Sequence, residues 1–302
     1  MKWVTKRSLP FVVLFCALLW GSAFPGIKGI YAVWEAAGIS AGSAERLLLA
    51  GVRFSLAGTL VLLIARRPFA QLKGAPIGNL LIFASLQTAV QYFFFYWGLA
   101  VSSGVLGGLM SSSGTFWWVL LAPLMLKSAK PSWKQWLALL IGAAGVSVAV
   151  YAPGASAGSP IHGLGCFAAS TLSGALAVIV LQKGVQQHMG ARTATGFALL
   201  LGGLMLALAG WPAWGRFAEL FSLEVWGFTF YLSMVSALAF TTWNELTTRF
   251  PVNLLAGYRF MIPLSAVCLS AFFVDGESIG WQLALGGGLV LLSIVLLQRR
   301  AS

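Results

Sequence analysis

Three basic residues lie inside long apolar stretches of the chain: Lys28, Arg53 and Arg259. An ionisable group is costly in apolar surroundings, so each one is a candidate for contact with a ligand. A guanidinium carries several N–H donors in one plane, which suits arginine to binding a carboxylate. Lys28 lies near the end of its stretch, where a long side chain can extend to a polar boundary, and we interpret it as an anchor.

The two arginines each allow a structural role and a ligand role. Arg53 either pairs with Glu35 or Glu45, which are near in sequence, or contacts a ligand. Arg259 either pairs with Glu245 and ties two apolar segments together, or holds the negative group of a ligand. Glu245 belongs to the preceding apolar segment and lies nearer the surface, so we favour the ligand role for Arg259, whose buried charge needs a partner.

Aromatic and small polar side chains are concentrated in two parts of the chain, between residues 87 and 118 and between residues 241 and 258. Polar groups this deep in apolar segments need partners from protein, water or ligand. Aromatic walls with a few polar groups suit an amphipathic small molecule. These residues predict a wet cavity, although many of the rings must face lipid or other helices. The candidate binding residues are Arg53, Arg259, Trp20, Gln91, Tyr96, Ser112, Trp117, Trp243, Asn244 and Tyr258.

Groups for catalysis or metal binding are sparse. His162 and His188 lie in or beside predicted loops, and no Asp or Glu lies in the interior of an apolar stretch. Cys16, Cys166 and Cys268 have no metal-ligand spacing and are interpreted as packing residues. The sequence therefore predicts no catalytic residue, metal or cofactor. It also favours exchange or facilitated diffusion over proton antiport through a buried acid.

Composition indicates that lipid is the solvent. Of the 302 residues, 59% are hydrophobic and only 9% are charged, which would leave large apolar patches exposed on a soluble domain. The net charge of +12 lies in short loops rather than on one basic face, so we expect no nucleic-acid partner. The bilayer and a small-molecule substrate are the expected partners, and the protein is expected to be a monomer or homodimer.

Ten apolar stretches are long enough to cross a bilayer core, which needs about 20 residues. Most of the 19 lysines and arginines fall on one side if the N-terminus is cytoplasmic. The positive-inside rule then places both termini in the cytoplasm of a multi-pass protein of the cell inner membrane. The predicted spans are 10–30, 46–65, 76–97, 104–126, 132–151, 161–182, 192–211, 224–244, 252–274 and 279–298.

The two halves of the chain resemble each other at an offset of 147 residues. This offset matches Trp97-Gly98-Leu99 with Asn244-Glu245-Leu246, and it pairs Arg259 with Ser112. A Pro/Gly-rich linker, 152–160, separates a first repeat at 1–151 from a second at 161–302. Five spans per repeat would invert the second copy. The predicted fold is therefore all-α and integral to the membrane, with two inverted five-helix repeats around a central cavity.

Several short motifs resemble those of EamA-type transporters in the drug/metabolite transporter superfamily. The first span contains Trp20-Gly21-Ser22-Ala23-Phe24 followed by Lys28, and the second contains Arg53-Phe54. Gly276-Glu277 resembles the Gly-Glu that begins the last helix of each repeat in that family. Lys130 stands where the first repeat usually has Glu, so no role of that acid is transferred to it.

The resemblance implies a ten-helix carrier of two EamA repeats, with a cavity lined by the first four helices of each repeat. It also implies export or exchange of amino acids or similar metabolites by alternating access. Together with the arginines and aromatic residues, it predicts a transporter for an amino acid or related carboxylate rather than an enzyme. Carriers of phosphorylated or sugar-nucleotide anions, membrane-embedded enzymes and pores are the alternatives.

Overall fold

A computed structural model describes residues 4–5, 7–102, 107, 110–111, 113–126, 130–150, 160–250, 255, 258–259, 261–273 and 280–298. These residues form helices joined by short connections, and they include no strand. A helix lies in each predicted apolar stretch. The helices, numbered in chain order, are α1 (Leu9–Ala36), α2 (Ser43–Leu63), α3 (Ile77–Ala100), α4 (Ser113–Met125), α5 (Trp133–Val150), α6 (Pro160–Val180), α7 (Ala191–Ala209), α8 (Leu223–Thr247), α9 (Met261–Phe273) and α10 (Trp281–Gln298).

Six helices are long and apolar enough to cross a membrane: α1, α2, α3, α6, α7 and α8. Shorter apolar helices include α4 and α9. The predicted count of ten spans therefore stays a prediction. One π-helical segment, Ser85–Val90, lies within α3, and another, Leu181–Val185, directly follows α6. A short 3₁₀ helix, Trp211–Arg216, precedes α8.

Glycines bring α2 and α7 into backbone contact. A Cβ atom on Gly51 would lie 2.3 Å from the backbone nitrogen of Ala207, and one on Gly58 would lie 2.3 Å from that of Leu200. Gly203 on α7 approaches the backbone of α2 in the same way. The contacts run in opposite chain directions, so the two helices cross antiparallel. Small residues at such positions let helices pack closely where lipid provides no hydrophobic driving force.

The set of packed helix pairs has an internal symmetry. α1 packs on α8 and α9, α6 packs on α3 and α4, α2 packs on α7, and α5 packs on α10. Replacing each helix by the one five positions along the chain returns the same pairs. This pattern is the one that two equivalent five-helix units would produce.

Individual contacts repeat at the 147-residue offset that relates the two halves of the sequence. Gly26 lies against Leu232, and the corresponding contact is the hydrogen bond from Ser173 Oγ to the Leu86 carbonyl, 2.7 Å. At this offset Gly26 corresponds to Ser173, and Leu232 corresponds to position 85, next to Leu86. The proposed linker at 152–159 lies outside the described residues, and the division into 1–151 and 161–302 stays a prediction.

We predict that Gly58→Ala destabilises the protein by about 1–3 kcal/mol, because the new methyl group meets the immobile backbone of α7. This loss exceeds the gain of about 1 kcal/mol in helix propensity that alanine brings. Gly227→Ala on α8 is the control, since no atom lies within 4 Å of its added Cβ. Thermal unfolding in detergent should show a lower melting temperature for Gly58→Ala alone. Equal melting temperatures for both variants would contradict the close contact.

Candidate functional site

A cavity lies between α1, α2, α3, α6 and α8, with Arg259 and Ile262 on one side. It contains about 820 Å³ of space not filled by protein atoms, its opening included. Aromatic rings form much of its wall: Trp20 packs edge-on against Phe240 and Trp243, with ring centroids 5.3 and 5.5 Å apart. The predicted binding residues that line it are Trp20, Arg53, Gln91, Trp243, Asn244 and Arg259.

The remaining candidates lie elsewhere. Tyr96 is buried, and its hydroxyl accepts a hydrogen bond from Arg53 Nη1 at 3.1 Å. Trp117 donates its indole N–H to the Ala168 carbonyl on α6, at 3.2 Å. Tyr258 is not among the lining residues, although it packs against an apolar cluster that includes Trp243 of the cavity wall. Ser112 lies outside the described residues.

The cavity also has lining residues beyond the candidate set. Gln87, Tyr92 and Phe95 come from α3, whereas Ser170 and Thr171 come from α6. The 147-residue offset could have indicated the α6 pair, because Ser170 and Thr171 correspond to Ala23 and Phe24 of α1, which also line the cavity. Gln87 belongs to the π-helical segment of α3. Such segments are common at functional sites but have no clear sequence signature.

Arg259 contacts two aromatic faces. Its guanidinium carbon lies 4.8 Å from the ring centroid of Trp118 and 5.8 Å from that of Trp243. The Nε atom is buried and has no hydrogen-bond partner. Cation–π contacts offset only part of the cost of burying a charge. Among the described residues, no carboxylate pairs with this guanidinium.

The structural role considered for Arg259 is not formed. The Glu245 carboxylate instead lies 3.8 Å from the guanidinium of Arg249, which follows it by four residues just past the end of α8. Residues four apart on a helix are neighbours, so this local pair forms without bringing in another helix. The proposed strut between Arg259 and Glu245 is therefore absent from the structure.

Arg53 is held by protein groups other than the carboxylates considered for it. Its Nε donates to the Leu232 carbonyl at 3.3 Å and to Ser236 Oγ at 3.2 Å, in addition to the bond with Tyr96. Glu45, one of the two acids considered as its partner, instead pairs with Arg216 at 3.1 Å. No ion pair between Arg53 and an acid is present in the described residues. Arg53 lines the cavity with its Nε and Nη1 already hydrogen-bonded to protein.

Arg216 also binds a second acid in the segment before α8. Its guanidinium donates two hydrogen bonds to Glu219, at 2.8 and 3.0 Å. These bonds lower the pKa of the Glu219 carboxyl. This cluster ties the start of α2 to the segment before α8, and none of its three residues lines the cavity.

Lys28 is hydrogen-bonded to protein. Its Nζ donates to the Ser102 carbonyl at 3.0 Å. The contact joins α1 to the end of α3, so the lysine links two helices of the first half. The expected anchoring to a polar boundary is thus supplemented by a specific backbone partner.

Unpartnered N–H groups distinguish the cavity. Three of its lining residues have a buried nitrogen without a hydrogen-bond partner: Trp20 Nε1, Gln87 Nε2 and Arg259 Nε. All three atoms are donors, and no Asp or Glu is among the lining residues that the structure describes. An unmet donor in a low-dielectric interior is expensive. The arrangement therefore fits a ligand that supplies acceptor atoms and negative charge.

Comparison with known proteins gives a family and a fold. The model of the EamA-like transporter family matches residues 162–299. The second half of the chain is thus similar to this family. One solved structure, described only as a crystal structure of a protein, superposes with a TM-score of 0.66 at 17% identity. The match covers 97% of this chain and 99% of that one, and it shows a shared fold. No curated protein matches the chain in sequence.

The family resemblance seen in the sequence is therefore confirmed over residues 162–299. Several residues of the motifs noted in the sequence occur at the cavity. Trp20, Ala23 and Phe24 line it, whereas a Cβ on Gly21 would lie 2.7 Å from the backbone of Ser265 on α9. The first motif thus combines a helix contact with a cavity wall. Gly276-Glu277 lies outside the described residues.

Gly114 leaves room for the Arg259 side chain. A Cβ on Gly114 would lie 2.8 Å from Arg259 Nη2, which is the mobile end of a long side chain. We predict that Gly114→Ala moves the guanidinium without unfolding the protein, and weakens binding of an aromatic carboxylate such as 3-phenylpropionate about three- to tenfold. Isothermal titration on purified protein measures this.

Gly165→Ala on α6 is the matched control for Gly114→Ala, because nothing lies within 4 Å of its added Cβ. It should bind 3-phenylpropionate like the unmodified protein. Unchanged affinity in a folded Gly114→Ala variant would show that the position of Arg259 does not matter for binding.

Proposed function

We propose that this EamA-like transporter exports or exchanges a small organic carboxylate, such as an amino acid, across the cell inner membrane by alternating access. The observation that carries the proposal is the set of unpartnered donors on Trp20, Gln87 and Arg259 in a cavity whose described lining residues include no acid. A carboxylate supplies several acceptor lone pairs and one negative charge. The aromatic walls suit an apolar body attached to that carboxylate.

The competing substrate class is a phosphorylated or sugar-nucleotide anion. A polyphosphate is normally held by several arginines and lysines. Here two of the Arg53 nitrogens already bind Leu232, Ser236 and Tyr96. Arg259 is then the one lining cation whose guanidinium has no hydrogen bond to protein among the described residues. A single free guanidinium favours a substrate with one carboxylate.

Alternating access follows from the proposed inverted repeats. The packing pairs exchange when each helix is replaced by the one five positions along, which supports two equivalent units. Two such units around one cavity have two related arrangements, one open to each side. The charge distribution supports cytoplasmic termini on both ends of the chain.

We predict that Arg259→Gln weakens binding of 3-phenylpropionate or an amino-acid ligand by about ten- to hundredfold, because a charge-assisted hydrogen bond is lost. A ligand-stabilisation screen with amino acids, organic acids and sugar phosphates identifies the best ligand of the unmodified protein by its rise in melting temperature. The affinities of the variants for that ligand are then compared.

Arg249→Gln is the charge-matched control, since Arg249 contacts Glu245 at the end of α8 and does not line the cavity. It should bind nearly normally. Full binding by folded Arg259→Gln protein would remove the ligand role of Arg259. Stabilisation by sugar phosphates alone would overturn the carboxylate assignment.

Reporter fusions test the proposed orientation. Fusions at both termini and after residues 66, 127, 183 and 245 should report the cytoplasm, and a fusion within 152–160 should report the opposite side. The physical reason is the concentration of lysine and arginine in the first set of segments. A cytoplasmic 152–160 segment would refute inversion of the second repeat.

A further inference from the structure

A chain of buried polar groups leads from the backbone of α7 to the cavity. Thr195 Oγ1 donates to the Ala191 carbonyl at 2.7 Å. Asn244 Nδ2 on α8 lies 2.8 Å from Thr195 Oγ1 and 2.6 Å from Gln87 Oε1 on α3. Thr195, Asn244 and Gln87 are all at most 3% exposed. These bonds therefore connect three helices through buried side chains.

The first bond fixes the direction of the others. A backbone carbonyl only accepts, so the Thr195 hydroxyl hydrogen is used on Ala191 and its oxygen must accept from Asn244. The Asn244 group facing Thr195 is then its NH₂. The same nitrogen also donates to Gln87, so the Gln87 atom that faces it must be the amide oxygen. Either amide turned the other way would place two acceptors or two donors face to face.

We infer that Asn244 is a positioning residue that keeps the Gln87 amide oriented with its NH₂ toward the substrate, so that Gln87 helps select a carboxylate. Gln87 lines the cavity, and its Nε2 has no protein partner. A glutamine free to rotate would present its oxygen to an anion about as readily as its nitrogen. The Ala191–Thr195–Asn244 chain removes that choice. This inference rests on the proposed function.

The location of Gln87 supports a binding role. It lies in the π-helical segment Ser85–Val90, where the α3 backbone departs from regular α-helical geometry. Together, Gln87 from α3, Trp20 from α1 and Arg259 place unpartnered donors on three different parts of the wall. An anion held among them would contact both halves of the chain.

A double-mutant cycle tests the positioning role. The variants are Gln87→Met, Asn244→Leu and the pair together, and the measured quantity is the Kd of 3-phenylpropionate for purified protein. Each single variant should weaken binding about tenfold, the effect of losing one hydrogen bond to a charged ligand. If Asn244 acts through Gln87, the pair should bind no more weakly than Gln87→Met alone.

Asn244→Asp tests the direction of the chain. An aspartate at this position accepts hydrogen bonds, so Gln87 should turn its NH₂ inward and its oxygen toward the cavity. The preference for 3-phenylpropionate over the neutral 3-phenylpropionamide should then fall at least tenfold. Asn244→Asp in the Gln87→Met background measures the effect of the added charge alone, and the preference should fall less there.

Thr229→Val is the matched control for loss of a buried polar group on α8, because the Thr229 hydroxyl donates to the Val225 carbonyl of its own helix and Thr229 does not line the cavity. Its Kd should be unchanged. Additive losses in the double mutant, or no loss in folded Gln87→Met, would overturn the positioning role. If the unmodified protein binds no carboxylate in the screen, the proposed function fails and this inference fails with it. Normal carboxylate binding that ignores Asn244→Asp refutes this inference alone.

Discussion

The absence of water around most polar groups is the constraint on which this structure depends. Within a bilayer, backbone groups are satisfied inside helices, and each polar side chain must find a partner in protein or ligand. Arg53 meets this demand with Leu232, Ser236 and Tyr96. The Nε of Arg259 has no such partner, although Arg259 also lies inside a long apolar stretch of the sequence. The contrast between the two arginines therefore separates a residue that holds helices together from one that is available to a substrate.

Close packing and the open cavity are linked through α2. One part of this helix meets α7 backbone to backbone through Gly51 and Gly58, which leaves no space between them. Arg53 and Phe54 lie between these glycines, and Arg53 extends to α8 and to the cavity. The tight contact fixes the helix from which Arg53 projects. A binding site built on rigid helices keeps its donors in place before the ligand arrives.

The sequence predicted where the helices lie along the chain, but not which side of each helix faces the cavity. Apolar stretches located the helices, and the 147-residue offset anticipated contacts such as Ser173 with Leu86. It could not show that Tyr96 and Trp117 bond to neighbouring helices rather than line the cavity, because their own helices are apolar on every side and lack a periodic pattern. The π-helical segment in α3 changes the side of the helix on which the following residues lie, and no residue type predicts such a segment. The sequence alone also left the partners of Glu45 and Glu245 open, and the structure pairs them with Arg216 and Arg249.

The two halves of the chain use equivalent positions for different chemistry. On α1, Ala23 and Phe24 give the cavity an apolar wall, whereas their counterparts Ser170 and Thr171 on α6 give it hydroxyl groups. Backbone symmetry suits a carrier that opens to either side, but a substrate with one charged end and one apolar body needs an asymmetric site. The symmetry therefore belongs to the helix packing, whose pairs exchange. The side chains break it where the substrate would bind, so a single orientation of the substrate is favoured.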